Sequence, residues 1–154
     1  MVKHYKRAAL VAAMALASSG AMAQGLDSAE SKLYANYVTD DMLLNADKDA
    51  SNWLLYGRDY QTTRYSPLAQ INQGNIKKMK ATWNLSFGVL DGQDSQTVVV
   101  NGTVYVTSSY NKVWSVDGAT GKVNWKYERE LPGDVFPKLC CDVVNRGVAV
   151  YKNK

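Results

Sequence analysis

Hydrophobic and polar positions divide the chain into four regimes. Residues 1–23 carry cations at the start, then the apolar run AALVAAMALA with no polar face, and end on Ala21-Met22-Ala23. A basic start, a short apolar run and a small-x-small ending form a secretory signal, so cleavage is expected after Ala23. The run is short for a bilayer span. Residues 24–52 are mostly polar with scattered aromatics. Within them Thr39 is placed to cap a short helix, with Asp40 and Asp41 in its first turn and Met42, Leu43 and Leu44 as its apolar side. Residues 52–79 show neither helical nor strand period. They carry Trp53, Tyr56, Tyr60 and Tyr65, punctuated by Gly57 and Pro67, and such a stretch is expected to order by docking its rings on a surface. Asn72, Gly74 and Asn75 mark a turn.

From residue 80 the period shortens to that of strands. Residues 81–87 alternate, with Trp83, Leu85 and Phe87 on one side. Residues 96–100 and 103–107 are β-branched, and Asn101-Gly102 between them is a strong hairpin signal. Residues 112–116 and 122–127 add two more strands around a turn at 117–121, and 148–151 reads as a further strand. The pattern predicts an all-β fold built on a four-stranded antiparallel unit, preceded by a signal (1–23) and an N-terminal arm with lead-in segment (24–79). Four strands joined by tight turns have the size of one β-propeller blade, and equally of an ordinary meander. One such unit cannot bury both faces alone. The expectation is therefore a piece of a larger propeller, with the chain by itself prone to aggregate or partly disordered.

Composition narrows the chemistry. The 154 residues have a net charge of +4, from 18 Lys and Arg against 14 Asp and Glu. Lys3, Lys6 and Arg7 lie in the removable segment, leaving fifteen cations against fourteen acids. No basic stripe remains, so a nucleic-acid partner is not expected. His4, the only histidine, is removed with the same segment. Serine–histidine and cysteine–histidine catalysis, and histidine-ligated zinc, are then excluded within the mature chain.

Cys140 and Cys141 are the only cysteines and adjoin each other. Oxidation is the default for an exported protein, and a bridge between neighbours closes no useful loop. A vicinal disulfide, a reduced pair, and one cysteine awaiting a more distant partner all remain open on spacing alone.

Three groups of residues resemble the pyrroloquinoline quinone (PQQ)-dependent alcohol dehydrogenases, which include the methanol and ethanol enzymes. The first is Trp53, Gly57, Arg58, Tyr65, Ser66, Ile71, Asn72 and Asn75. The second is the Asp-x-x-Thr-Gly-Lys-x-x-Trp repeat, here Asp117, Thr120, Gly121, Lys122 and Trp125. The third is CCDVVNRG, residues 140–147. The resemblance runs from residue 52 to the end. It implies a fragment of an eight-bladed β-propeller around a central PQQ, with a Ca²⁺ or lanthanide ion beside the quinone. It further implies oxidation of primary alcohols to aldehydes by base-assisted hydride transfer to the metal-polarised quinone, with electrons passing to a periplasmic cytochrome c. A homodimer of the full-length protein is a further implication of the resemblance.

Carried over by residue, Cys140 and Cys141 would form a disulfide on one face of PQQ, and Arg146 would set its guanidinium near the quinone oxygens. The segment 92–96, GQDSQ, corresponds to a family segment written GQESQ whose acid bonds the cofactor. Asp94 is shorter than that acid by one carbon–carbon bond, about 1.5 Å, so a direct bond needs a water or a backbone shift to compensate. The family's catalytic aspartate and its metal ligands belong to later blades and have no counterpart here. A non-catalytic exported propeller scaffold is the alternative, and it has no use for a vicinal cysteine pair beside an arginine.

Overall fold

The computed structural model describes residues 37–154. The secretory signal and residues 24–36 of the arm lie outside the described residues. The described part is a four-stranded antiparallel sheet whose strands neighbour one another in chain order, with one short α-helix and long connecting segments. Among the described residues no helix is long and apolar enough to cross a membrane.

The helix, α1 (Asp40–Leu44), starts where its cap was expected. Thr39 is extended and its hydroxyl accepts the Met42 amide at 3.2 Å, while Asp40 and Asp41 occupy the positive end of the helix. Met42 and Leu43 pack against a core of Val38, Leu54, Val98 and Val100, which Tyr105, Val148 and Val150 complete.

Strand β1 (Val98–Val100) has Val98 and Val100 fully buried on one face, as period-two alternation requires. Asn101 and Gly102 both take positive φ, +47° and +77°, and turn the chain into β2 (Thr103–Ser108). That geometry matches the right-handed twist of the flanking strands. Strand β3 (Lys112–Asp117) pairs with β2 at six positions, from Thr103 with Asp117 to Ser108 with Lys112. Strand β4 (Val123–Tyr127) pairs with β3 across an irregularity between Ser115 and Val116. In the β3–β4 turn, Asp117 Oδ1 accepts the amides of Ala119 and Thr120 and the Thr120 hydroxyl. The Thr120 side chain, first, and its amide hold the Asp117 carboxyl below the usual carboxylate range.

Trp125 and Tyr127 of β4 are both large and exposed. Trp114 of β3 is buried, with its indole N–H on Ser108 Oγ at 3.2 Å and its ring beside Phe87.

Three local expectations are corrected. Residues 81–87 alternate but form no strand: the Trp83 indole donates to the Gly118 carbonyl at 3.0 Å, and its ring lies against Gly121, so side-chain docking replaces a backbone ladder. Residues 148–151 also form no strand. Val148 and Val150 turn onto the α1–β1 core, and the backbone bridge comes at Lys152, with Val38. In the lead-in segment Tyr56, Tyr60 and Tyr65 are exposed rather than docked.

Order in that segment comes from other groups. Trp53 exchanges both backbone hydrogen bonds with Val99 at 2.9 Å, extending the sheet beyond β1. Arg58 is 4% exposed, pairs with Asp59, and donates to the carbonyls of Asp47 and Asp49. The turn at residues 72–75 is present: the Asn72 amide donates to Asn75 Oδ1, and a 3₁₀ turn, Ile76–Lys78, follows.

Candidate cofactor site

Two segments distant in sequence meet at the β2–β3 end of the sheet. The first, residues 91–96, leads into β1. The second, residues 139–147, follows the 3₁₀ turn Phe136–Lys138. Both are held by the last residues of β2 and by the turn after it.

Thr107, buried on β2, is the junction. Its amide donates to Ser95 Oγ at 3.0 Å, and its carbonyl accepts Gln93 Nε2 at 2.5 Å. Its hydroxyl donates to the Asn145 carbonyl at 2.7 Å and lies 3.1 Å from the Gly147 carbonyl. The residues flanking Asp94 on one side and Arg146 on the other are thus tied to one threonine.

The following residues add further ties. Ser109 Oγ donates to the Gly92 carbonyl, the Tyr110 amide donates to the Val143 carbonyl at 3.0 Å, and Asn145 Nδ2 donates to Asn111 Oδ1 at 2.7 Å. Tyr110 and Asn111 take φ of +67° and +55° to make these contacts. For a bulky residue such as Tyr110 that backbone is costly and persists only where the surroundings enforce it. Its phenol donates to Asp91 Oδ2 at 2.6 Å, and that acceptor raises the Tyr110 pKa. Gly92 lies close to the 139–147 segment: a Cβ there would come 2.7 Å from Asp142 Oδ2, the tip of an exposed side chain that can turn aside.

At the surface of this junction, Arg146 Nη2 stands 2.8 Å from Asp94 Oδ2, with both side chains more than half exposed. On the same segment Cys140 and Cys141 are joined to each other, and both are exposed. Of the pairings open from spacing, the structure holds the vicinal disulfide. Residues on either side of the cysteines, Leu139 and Asp142 to Val144, line a small cavity of about 120 Å³ together with Tyr110, Asn111, Leu131 and Val135.

A profile of the family described as "PQQ: Glucose/ethanol/alcohol dehydrogenase, beta-propeller domain" matches residues 53–154, which include every one of these groups. The chain belongs to this family. It is 43% identical over 136 residues to a quinoprotein ethanol dehydrogenase of Pseudomonas aeruginosa, covering 87% of this chain and 21% of that protein. Among solved structures it superposes on the quinohemoprotein alcohol dehydrogenase from Comamonas testosteroni with a TM-score of 0.72. The identity there is 36%, over 80% of this chain and 18% of that one. A europium-containing methanol dehydrogenase gives a TM-score of 0.66 at 34% identity, over 73% of this chain and 20% of that one. The chain therefore spans about a fifth of the length of these relatives.

Within this PQQ family member, the four residues singled out from sequence fall in one region. Asp94 and Arg146 are in direct contact, and Cys140 and Cys141 lie on the segment that carries Arg146. The Asp94 carboxylate is engaged by Arg146, which bears on the question left by its shortened side chain. PQQ is a planar quinone bearing carboxylates, and the groups offered fit it in kind. An exposed guanidinium is suited to carboxylate and quinone oxygens, and an exposed disulfide gives a polarisable surface without hydrogen-bond donors. Among the described residues no group of three or more His, Cys, Asp or Glu side chains is placed to hold a metal ion.

Sequence reading missed Thr107, Tyr110, Asn111 and Asn145. The available signal was the run Thr107-Ser108-Ser109, three small polar residues closing a strand otherwise made of β-branched and aromatic ones. All three are buried, and buried hydroxyls need partners.

Proposed function

We propose that this chain supplies one wall of the PQQ site in an exported, periplasmic PQQ-dependent alcohol dehydrogenase acting on primary alcohols. The observation that carries the reading is the Arg146–Asp94 pair beside the Cys140–Cys141 disulfide, inside the stretch matched by the family. PQQ, when bound, supplies the two-electron acceptor for oxidation of the alcohol to the aldehyde. Arg146 contributes a fixed cation that holds anionic oxygens of the cofactor and stabilises charge developing on them. Asp94 sets the direction of that guanidinium, and Cys140 and Cys141 bound one face of the pocket.

The remaining walls come from further blades of an eight-bladed propeller. The exposed Trp125 and Tyr127 on β4 support such neighbours, as does the fraction of each relative that the chain spans. The catalytic base and the metal ligands lie in those blades. The metal is a lanthanide or Ca²⁺, and the likeness to a europium-containing methanol dehydrogenase supports the first. Electrons leave to a cytochrome c.

The test compares two proteins: mature chain 24–154 alone, and a protein of the relatives' length beginning with this chain. Each is mixed with PQQ, Ca²⁺ or a lanthanide, ethanol and a redox dye. The reading predicts dye reduction by the longer protein and none by the shorter. No turnover and no PQQ binding by the longer protein would overturn it.

A further inference from the structure

We infer that the Thr107 hydroxyl is a positioning group for Arg146, fixing the guanidinium through the backbone on either side of it. This rests on the reading of Arg146 as a PQQ contact. Three observations carry it. Thr107 is 1% exposed, so its hydroxyl has no water to fall back on. That single hydroxyl lies within hydrogen-bond distance of the carbonyls of both Asn145 and Gly147, the residues that bracket Arg146. The backbone of the same residue holds Gln93 and Ser95, which bracket Asp94.

The two partners of an exposed ion pair are thereby aligned by one buried residue. An exposed pair by itself holds long side chains weakly, because solvent screens the attraction and side-chain entropy opposes it. The geometry that a planar, carboxylate-bearing ligand meets is therefore set beneath the pair. Arg146 stands on a backbone that cannot swing while the threonine hydroxyl is engaged. Asn145 reinforces this, since its side chain accepts the Gly147 amide at 2.7 Å and donates to Asn111. The side-chain methyl of Thr107 also lies beside Gly147, so valine at this position keeps the packing and removes only the hydroxyl.

The experiment is PQQ titration, read by tryptophan fluorescence quenching, of the full-length protein that carries this chain. Variants are Thr107→Val, Thr107→Ser, and each of these combined with Arg146→Ala. Thr107→Val is expected to raise the PQQ Kd by about tenfold, and Thr107→Ser to stay within about threefold of the parent. In the Arg146→Ala background Thr107→Val is expected to change nothing further, because the group it positions is gone. An unchanged Kd in Thr107→Val, or an equal loss in both backgrounds, overturns the inference.

Arginine side-chain NMR without PQQ supplies the independent reading. Thr107→Val should speed exchange at the Arg146 Nη2 protons that face Asp94, and Thr107→Ser should leave it as in the parent. Absence of PQQ binding by the parent protein would sink the cofactor assignment. The NMR comparison would still decide the positioning role, and no change in Arg146 exchange would end it.

Discussion

Arg146 and Asp94, 52 residues apart in sequence, meet with Nη2 2.8 Å from Oδ2 at the mouth of the candidate cofactor site. The pairing turns two separately recognisable residues into one unit: a cation with a set direction, and an acid whose charge is already engaged. In the proposed reading Asp94 therefore acts on PQQ through Arg146 first. A longer acid at this position could reach past the guanidinium.

Removing the acid should consequently separate binding from stability. Asp94→Ala is expected to change unfolding free energy by no more than about 1 kcal/mol, as for exposed pairs in general. It should weaken PQQ binding several-fold by releasing Arg146. Urea unfolding and PQQ titration on the same variant check both halves.

The disulfide leads to a similar separation. Cys140 and Cys141 are adjacent, so their bridge constrains almost none of the unfolded chain. Replacing both by serine is expected to shift the melting temperature by only about 2 °C or less. PQQ affinity should fall, because one bounding face of the pocket is lost. Thermal melts and PQQ titration of the double variant read the two effects.

Gly121 is the most demanding glycine of the blade. Its φ is +73°, and a Cβ there would come 2.6 Å from the Trp83 ring. Gly121→Ala is expected to cost about 2 kcal/mol or more, combining left-handed backbone strain with displacement of a docked indole. Gly102→Ala has the same backbone sign but meets nothing within 4 Å, so it should cost only about 1 kcal/mol. Urea unfolding of both variants gives the comparison.

Acid should weaken the fold through carboxylates held by hydrogen bonds. Asp117, bonded first by the Thr120 side chain, and Asp59, bonded first by the Thr63 side chain, both have folded pKa values below the usual range. A depressed folded value means stability that is fully present above the unfolded pKa, about pH 4. It is lost as pH falls through the lower folded value. Asp117→Asn keeps an acceptor without the titration, so its melting temperature should fall less than the parent's between pH 6 and pH 3, arbitrary settings about two units above and one below the unfolded value.

Much of this was legible in the sequence because it is local. Thr39 caps α1 from its own first turn, Asn101-Gly102 supplies the two left-handed residues its hairpin needs, and the β3–β4 turn is built on Asp117 and Thr120. The adjacent cysteines and Arg146 stood out by type and order. Thr107 did not: the run Thr107-Ser108-Ser109 signals buried hydroxyls in need of partners, but nothing in it points to partners at 93, 95, 145 and 147.

The misreadings share that origin. Residues 81–87 and 148–151 have the alternation of strands, but a strand also needs an edge to pair with, and both segments dock side chains instead. The tyrosines at 56, 60 and 65 were expected to order their segment, whereas the buried Arg58 and the Trp53 pairing with Val99 do so. Periodicity reports which side chains share a face and leaves open what the backbone bonds to.

The most direct test is a crystal structure of the PQQ-loaded, full-length protein. The account predicts PQQ with a face against Cys140–Cys141 and the Arg146 guanidinium within hydrogen-bond distance of its oxygens, the Asp94 pair still formed. PQQ bound elsewhere, with Arg146 turned to solvent and no contact to the disulfide, would contradict it.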